Sequence, residues 1–182
     1  AVDLFVRIFE RNTKSIKGVD LAFDIPIAKE KLFVISNTGR QKQIVKGTIY
    51  YGERGQNGNL KVYDKKKELK KKQGIEIEEE FLTRIEYSLR IDDPMSFEWF
   101  SALSHLNIAQ HYKIARLNTE NSSGVVKAGL IAISLGEMQM NEFTRSYQAK
   151  IKKALEETGL LDLDHAYSNA QSDIVSQIRQ FI

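Results

Sequence analysis

The chain contains no cysteine, so disulfides and thiolate metal sites are closed to it, and any metal must be held by carboxylates or histidines. Histidine is scarce as well. His105, His111 and His165 stand apart, with neither a His-x-His nor a helical His pair that would build an imidazole site. No apolar run approaches the length that crosses a bilayer, and no signal-peptide pattern is present, so a reducing cytoplasm is the expected location, without a membrane partner. The glycine-bearing stretch GERGQNG at 52–58 lacks the Lys-Ser or Lys-Thr that completes a nucleotide-phosphate loop, and it reads as a hairpin connection. There is no internal repeat of fixed period.

What is present suits a folded globular chain. Of 182 residues, 42% are hydrophobic, enough for an ordinary buried core. The net charge of +3 permits a polyanionic partner without requiring one. The chain opens at Ala1, with no initiator Met, and enters a strand-like run at once, which suggests an excised domain lacking N-terminal sequence.

The hydrophobic period changes near residue 94, from alternation to helical spacing. Strands are expected at VDLFVRIFE (2–10), GVDLAFDI (18–25), KLFVIS, IVKGTIYYG, LKVYD and FLTRIEYSLRIDD (81–93), with a short basic helix in KKKELKKKQ. Helices are expected around MSFEWFSALSHL, where Trp99, Phe100, Leu103 and Leu106 form an apolar stripe, and at about 123–138, 141–157 and 166–181. The expected architecture is one α+β domain over 1–182, with a sheet half (1–93) and a helical half (94–182). Strands of residues 2–91 would form a mainly antiparallel sheet with the C-terminal helices packed on its apolar face, because Leu21, Phe23, Ile85, Tyr87 and Leu89 need cover.

The chemistry lies on the other face. A period of two puts Asp20, Ala22 and Asp24 on one side of their strand, and Arg84, Glu86, Ser88 and Arg90 on one side of theirs. Aspartate is a poor strand former, so two on one face call for open solvent or a cation. If the strands are neighbours, Glu86 joins the aspartates, and three carboxylates at that spacing could hold Mg²⁺ or Mn²⁺. The alternative is a solvated sheet face. The lysine run beyond Lys61 and Tyr63 includes Lys65, Lys66, Lys67, Lys70 and Lys71. It fits either a solvated helix neutralised by the acids at 76–80 or a surface that tracks a phosphodiester backbone.

Three ordered stretches resemble the plasmid rolling-circle replication initiators of the replication-initiation-factor type and the related relaxases of mobile elements. They are GVDLAFDI, GTIYYGERGQNGNLKVYDKKKEL and LTRIEYSLRI, with a vaguer similarity through AGLIAISLGEMQMNEFTRSYQAKIKKAL. The resemblance implies a protein that binds a replication origin and nicks one DNA strand with a divalent metal and a tyrosine nucleophile, with a helicase and a second copy as further partners. It implies Asp20 or Asp24 and Glu86 as metal ligands, and Lys65 and Arg84 as phosphate contacts. Lys61, Tyr63, Lys66, Lys67, Lys70, Lys71 and Arg90 are the expected DNA contacts. The segment GLIAISLGE, where the resemblance would place the nucleophile, has no tyrosine. Tyr147, beside Arg145 and Lys150 on a helix, is the preferred substitute, ahead of Tyr112 and Tyr167. A non-cleaving initiator or operator-binding domain is the alternative, and a DNA-independent interaction module is the third reading.

Overall fold

In the computed structural model, which describes residues 3–12, 15–95, 107–117, 122–135, 137–157 and 159–179, the alternating first half becomes a sheet. Strands β1 (Asp3–Asn12), β2 (Ser15–Ile25), β4 (Lys42–Val45), β5 (Thr48–Tyr51), β6 (Asn59–Asp64) and β7 (Thr83–Met95) form six antiparallel neighbours in the order β1-β2-β7-β6-β5-β4. Two long strands therefore lie side by side at its centre, and they are the two that carry the acidic and the Arg-x-Glu patterns.

The remaining strand of the first half, β3 (Leu32–Ser36), leaves the sheet. It pairs with β8 (Tyr112–Arg116), a strand that the helical spacing of the second half conceals, to form a separate antiparallel ribbon. Helix α1 (Lys65–Gln73) follows β6 directly; the one-turn α2 (Ile108–His111) precedes β8, and α3 (Gly124–Leu135), α4 (Arg145–Glu157) and α5 (Leu163–Arg179) complete the chain. The helix expected around MSFEWFSALSHL falls largely on 96–106, outside the described residues. Strand β7 instead continues through Asp92, Asp93 and Pro94 to Met95. Proline is tolerated there because β6 pairs with β7 only as far as Ser88, and the β2 register shifts between Ile16 and Gly18.

The ribbon acts as a middle layer. Its Leu32, Val34, Tyr112 and Ile114 pack with Leu21, Phe23, Leu60, Ile85 and Tyr87 of the large sheet and with Leu163, Tyr167 and Ile174 of α5. Alternation turns Phe33, Ile35 and Ala115 the opposite way, onto Val126, Leu130 and Ile133 of α3 and Ile151 and Leu155 of α4. The α+β architecture is as expected, with one refinement: α5 covers the apolar sheet face together with the ribbon, and α3 and α4 lie one layer further out. No described helix is long and apolar enough to cross a membrane.

Candidate nucleic-acid interface

Register decides what the polar side chains of the central strands meet. Asp24 lies opposite Arg84, Ala22 opposite Glu86 and Asp20 opposite Ser88; on the other side of β7, Tyr63, Lys61 and Asn59 of β6 face the same three residues. Directly paired side chains in a sheet sit about 5 Å apart, so each acid is within reach of a donor on the neighbouring strand.

Every acid takes one. Asp24 is buried and accepts two hydrogen bonds from Arg84, Nε to Oδ1 and Nη2 to Oδ2, each 2.6 Å. Burial works against the Arg84 charge, yet the bonds to Asp24 hold its pKa above the usual guanidinium range. Glu86 accepts from Lys61 Nζ at 2.8 Å and from the Tyr63 hydroxyl at 2.6 Å. Asp20 accepts from Ser88 Oγ at 2.8 Å and pairs with Arg90 Nη2 at 2.9 Å. Arg90 reaches Asp20 across Gly18, where a Cβ would stand 3.1 Å from its Cδ and Nη1, so a side chain at 18 would displace the guanidinium.

The face thus places Asp20, Asp24 and Glu86 together on one side of the sheet but spends each carboxylate on a neighbouring cation or hydroxyl. Among the described residues no three His, Cys, Asp or Glu side chains are grouped so as to hold a metal ion. As arranged, the three acids do not fit a shared Mg²⁺ or Mn²⁺ site, because the closest neighbours of each are donors rather than further carboxylates. The three acids are balanced by Lys61, Arg84 and Arg90, which leaves the centre of the face without net charge.

Excess positive charge lies beside it. Helix α1 starts on Asp64, whose Oδ1 accepts from the Lys67 amide at 2.8 Å, and ends on Gly74 in the left-handed conformation at φ 68°. Glu68 bridges Lys65 and Lys72, both at 2.7 Å, and those lysines hold its carboxyl at about 2 against the opposing effect of burial. Lys70 pairs with Glu76 at 2.7 Å, and Lys66 donates to the Glu79 carbonyl at 2.6 Å. The acids at 76–80 therefore compensate part of the run, while Lys67 and Lys71 are exposed.

Two contributors were not singled out from sequence. Tyr50 lies opposite Lys61, on the polar face, and Arg54 from the hairpin loop stacks 4.4 Å over its ring. A period of two through GTIYYG would have separated outward Tyr50 from buried Tyr51. Arg40 supports that loop from below. Its Nη2 donates to the Asn57 carbonyl at 2.9 Å, in space that exists because Gly52 and Gly58 have no Cβ, and Asn57 Oδ1 in turn accepts from the Arg90 amide at 3.0 Å.

The tyrosines divide between the two sides of the molecule. Tyr63 is pushed strongly upward by burial and by its bond to Glu86, so it is a poor source of phenolate. Tyr112 sits in the core of the ribbon, donates to the Gly58 carbonyl at 2.8 Å, and is raised by burial to about 12. Tyr167 is buried under the sheet. Tyr147 is half-buried on α4, its ring stacked 5.3 Å from that of Phe143 and packed against the second core. With packed layers about 10 Å apart, the ribbon and the large sheet separate Tyr147 from Glu86 by roughly 20 Å. The structure does not bring these two residues together.

Residues 15–121 match the family described as the N-terminal part of a replication-associated protein. Two replication initiation proteins of Staphylococcus aureus are each 27% identical to the chain over 152 residues, covering 80% of it and 46% of their own length. A solved rolling circle replication initiator protein from Geobacillus stearothermophilus is 14% identical, with a TM-score of 0.34 over 78% of this chain and 57% of that one. The chain spans about half the length of the curated relatives it matches.

Proposed function

Because the chain belongs to the replication-associated protein N-terminal family, matched over residues 15–121, we propose that it is the origin-binding part of a rolling-circle replication initiator. The observation that carries this reading is the composite surface: a hydrogen-bonded polar face on β2, β7 and β6, flanked by Tyr50 and Arg54 on one side and by the exposed lysines of α1 on the other. Basic groups beside a stacking aromatic suit a nucleic acid, since lysines contribute through released counterions and an aromatic ring accepts a base of any kind. Arg90, Lys61 and Tyr63 lie between these flanks, where a bound strand would cross them.

The finer reading is that the protein also nicks the strand. A tyrosine would give up its phenolic proton to solvent and its oxygen would form a bond to phosphorus as the bond from phosphorus to the 3′ oxygen breaks; the 3′ oxygen takes up a proton from solvent in turn, and the 5′ phosphate stays on the protein. Tyr147 is the proposed nucleophile, supported by the neighbouring Arg145 and Lys150; it stands beyond the ribbon from the polar face, so the scissile segment would have to leave that face and reach the outer helices. The pairing of all three carboxylates supports the second reading, an initiator that binds without cleaving.

A supercoiled plasmid carrying a candidate origin, incubated with the protein with and without Mg²⁺ or Mn²⁺ and resolved on a denaturing gel, separates the two. Nicking is expected to yield a covalent protein–DNA adduct that is absent from the Tyr147→Phe variant. Origin binding with no adduct under any cation would establish the non-cleaving initiator. Equal affinity for every duplex, with no adduct, would refute an origin-specific role.

A further inference from the structure

A cavity lies away from the polar face, between the ribbon, β4 and the outer helices, and the origin-binding surface leaves it unused. It holds about 600 Å³ and is open to solvent on one side. Val34, Ile44, Ile133, Met138 and Met140 supply its apolar lining, and among the described residues its polar lining contains no aspartate or glutamate. The charged side chains that reach it are Arg40, Lys42 and Lys152.

These cations are held in different ways. Lys42 Nζ donates to the Ile133 and Ser134 carbonyls, at 3.2 and 2.6 Å, and so is anchored at the negative end of α3 with a third N–H still to give. Burial and then the nearby Lys29 hold its pKa below the usual lysine range, as in a site crowded with positive charge. Arg40 is fixed under the hairpin loop by its bond to Asn57 and has no carboxylate partner among the described residues. Lys152 is exposed on α4. Primary amides complete the rim. Gln148 spends one N–H on the Phe143 carbonyl at 2.8 Å, and Asn141 is exposed.

A lining of cations, primary amides and apolar side chains suits a ligand that combines negative charge, hydrogen-bonding groups and a flat apolar body. We infer that the cavity binds a nucleoside phosphate, its base over Ile44, Ile133 and the two methionines, its edge toward Gln148 and Asn141, and its phosphate toward Lys42 and Lys152. Primary amides pair with base edges and lysines with phosphate. The volume exceeds what one nucleotide needs and lies within the range of ordinary ligand cavities. The shared chemistry has two sources, a free nucleotide or a nucleotide of single-stranded DNA; only the second rests on the origin-binding reading.

The test uses the whole chain with two probes, deoxythymidine monophosphate by calorimetry and fluorescein-labelled hexadeoxythymidylate by anisotropy. Lys152→Glu is compared with Lys153→Glu, which makes the same change of charge one position along α4 outside the cavity. Ile44→Asp, on the exposed edge strand, provides a second lesion. Lys152→Glu and Ile44→Asp are expected to weaken at least one probe by about tenfold or more, the loss of a charge-assisted contact, with Lys153→Glu within about twofold. Weakening of the monophosphate assigns the cavity to free nucleotide, and weakening of the oligomer alone assigns it to a DNA strand. Duplex origin binding, followed in parallel, should be unchanged in Lys152→Glu; its absence in the parent chain would sink the origin reading and leave the cavity reading standing. Equal affinities of Lys152→Glu and Lys153→Glu for both probes, or photocrosslinks from 5-iododeoxyuridine that map away from Met138 and Met140, overturn the inference.

Discussion

The pair between Asp24 and Arg84 gives the sharpest test of how the polar face is built. Its side chains are 7% and 15% exposed, and two parallel bonds of 2.6 Å join them, so neither charge has ready access to water. Replacing Arg84 with Met removes both donors and leaves the Asp24 carboxylate buried without its cation. Losing one partner of a buried pair costs about 3–5 kcal/mol. For a chain of this size, each kcal/mol corresponds to roughly 2–4 °C, so the midpoint of thermal unfolding should fall by roughly 6–20 °C. The double variant Asp24→Leu/Arg84→Met removes both charges and should recover most of that loss, because an apolar pair of similar volume is often neutral or better at such sites. Denaturant unfolding of the parent, both single variants and the double variant gives the cycle directly. The double variant also separates stability from DNA binding. If Arg84 is committed to Asp24, origin affinity should stay within about threefold of the parent, whereas a lost charge-assisted phosphate contact would cost about tenfold. A loss under about 1 kcal/mol in Arg84→Met, or a double variant no more stable than the singles, would refute the pairing as described.

Two further outcomes follow from helix α1. Changing Lys66, Lys67, Lys70 and Lys71 to Gln should weaken binding to all DNA sequences and reduce the slope of log K against log salt by about 1.8, the value for two phosphate contacts, because Lys66 and Lys70 are already engaged with Glu79 and Glu76; an unchanged slope in filter-binding titrations would make α1 a solvated helix with no DNA role. Glu68, held at about 2 by Lys65 and Lys72, has a folded pKa below its unfolded value, so its contribution is complete above about pH 4.5 and is lost as pH falls toward about 2. Glu68→Gln should flatten that part of the stability profile by up to about 1 kcal/mol in urea titrations at about pH 5 and pH 3, and a profile parallel to the parent's would show that the bridge contributes nothing.

The faces of the central strands were legible because a period of two leaves no freedom: once Val19, Leu21 and Phe23 point inward, Asp20 and Asp24 must point outward. What alternation along one strand cannot give is the residue opposite. That depends on register between strands some 60 residues apart in the chain, and here it sets Asp24 against Arg84 and Asp20 against Ser88, so acids that look like a cluster in the sequence become members of separate pairs. The ribbon was hidden for a related reason. YKIAR at 112–116 is too short to announce itself among helices, and its partner lies at 32–36, so only the fold reveals that Tyr112 is a core residue.

The same register has a consequence for recognition. With Asp20, Asp24 and Glu86 matched by Arg90, Arg84 and Lys61, the centre of the face offers a polyanion little net charge, and on the proposed origin-binding reading the long-range attraction would come from its margins, where Lys67, Lys71 and Arg54 are exposed. A duplex drawn in by those margins would meet a centre of oriented hydrogen-bonding groups whose bonds it must compete for, which favours strands able to replace them over strands that merely supply charge. Affinity and selectivity would then reside in different parts of one surface: α1 in the salt dependence, and Ser88, Glu86 and Tyr63 in the choice of sequence.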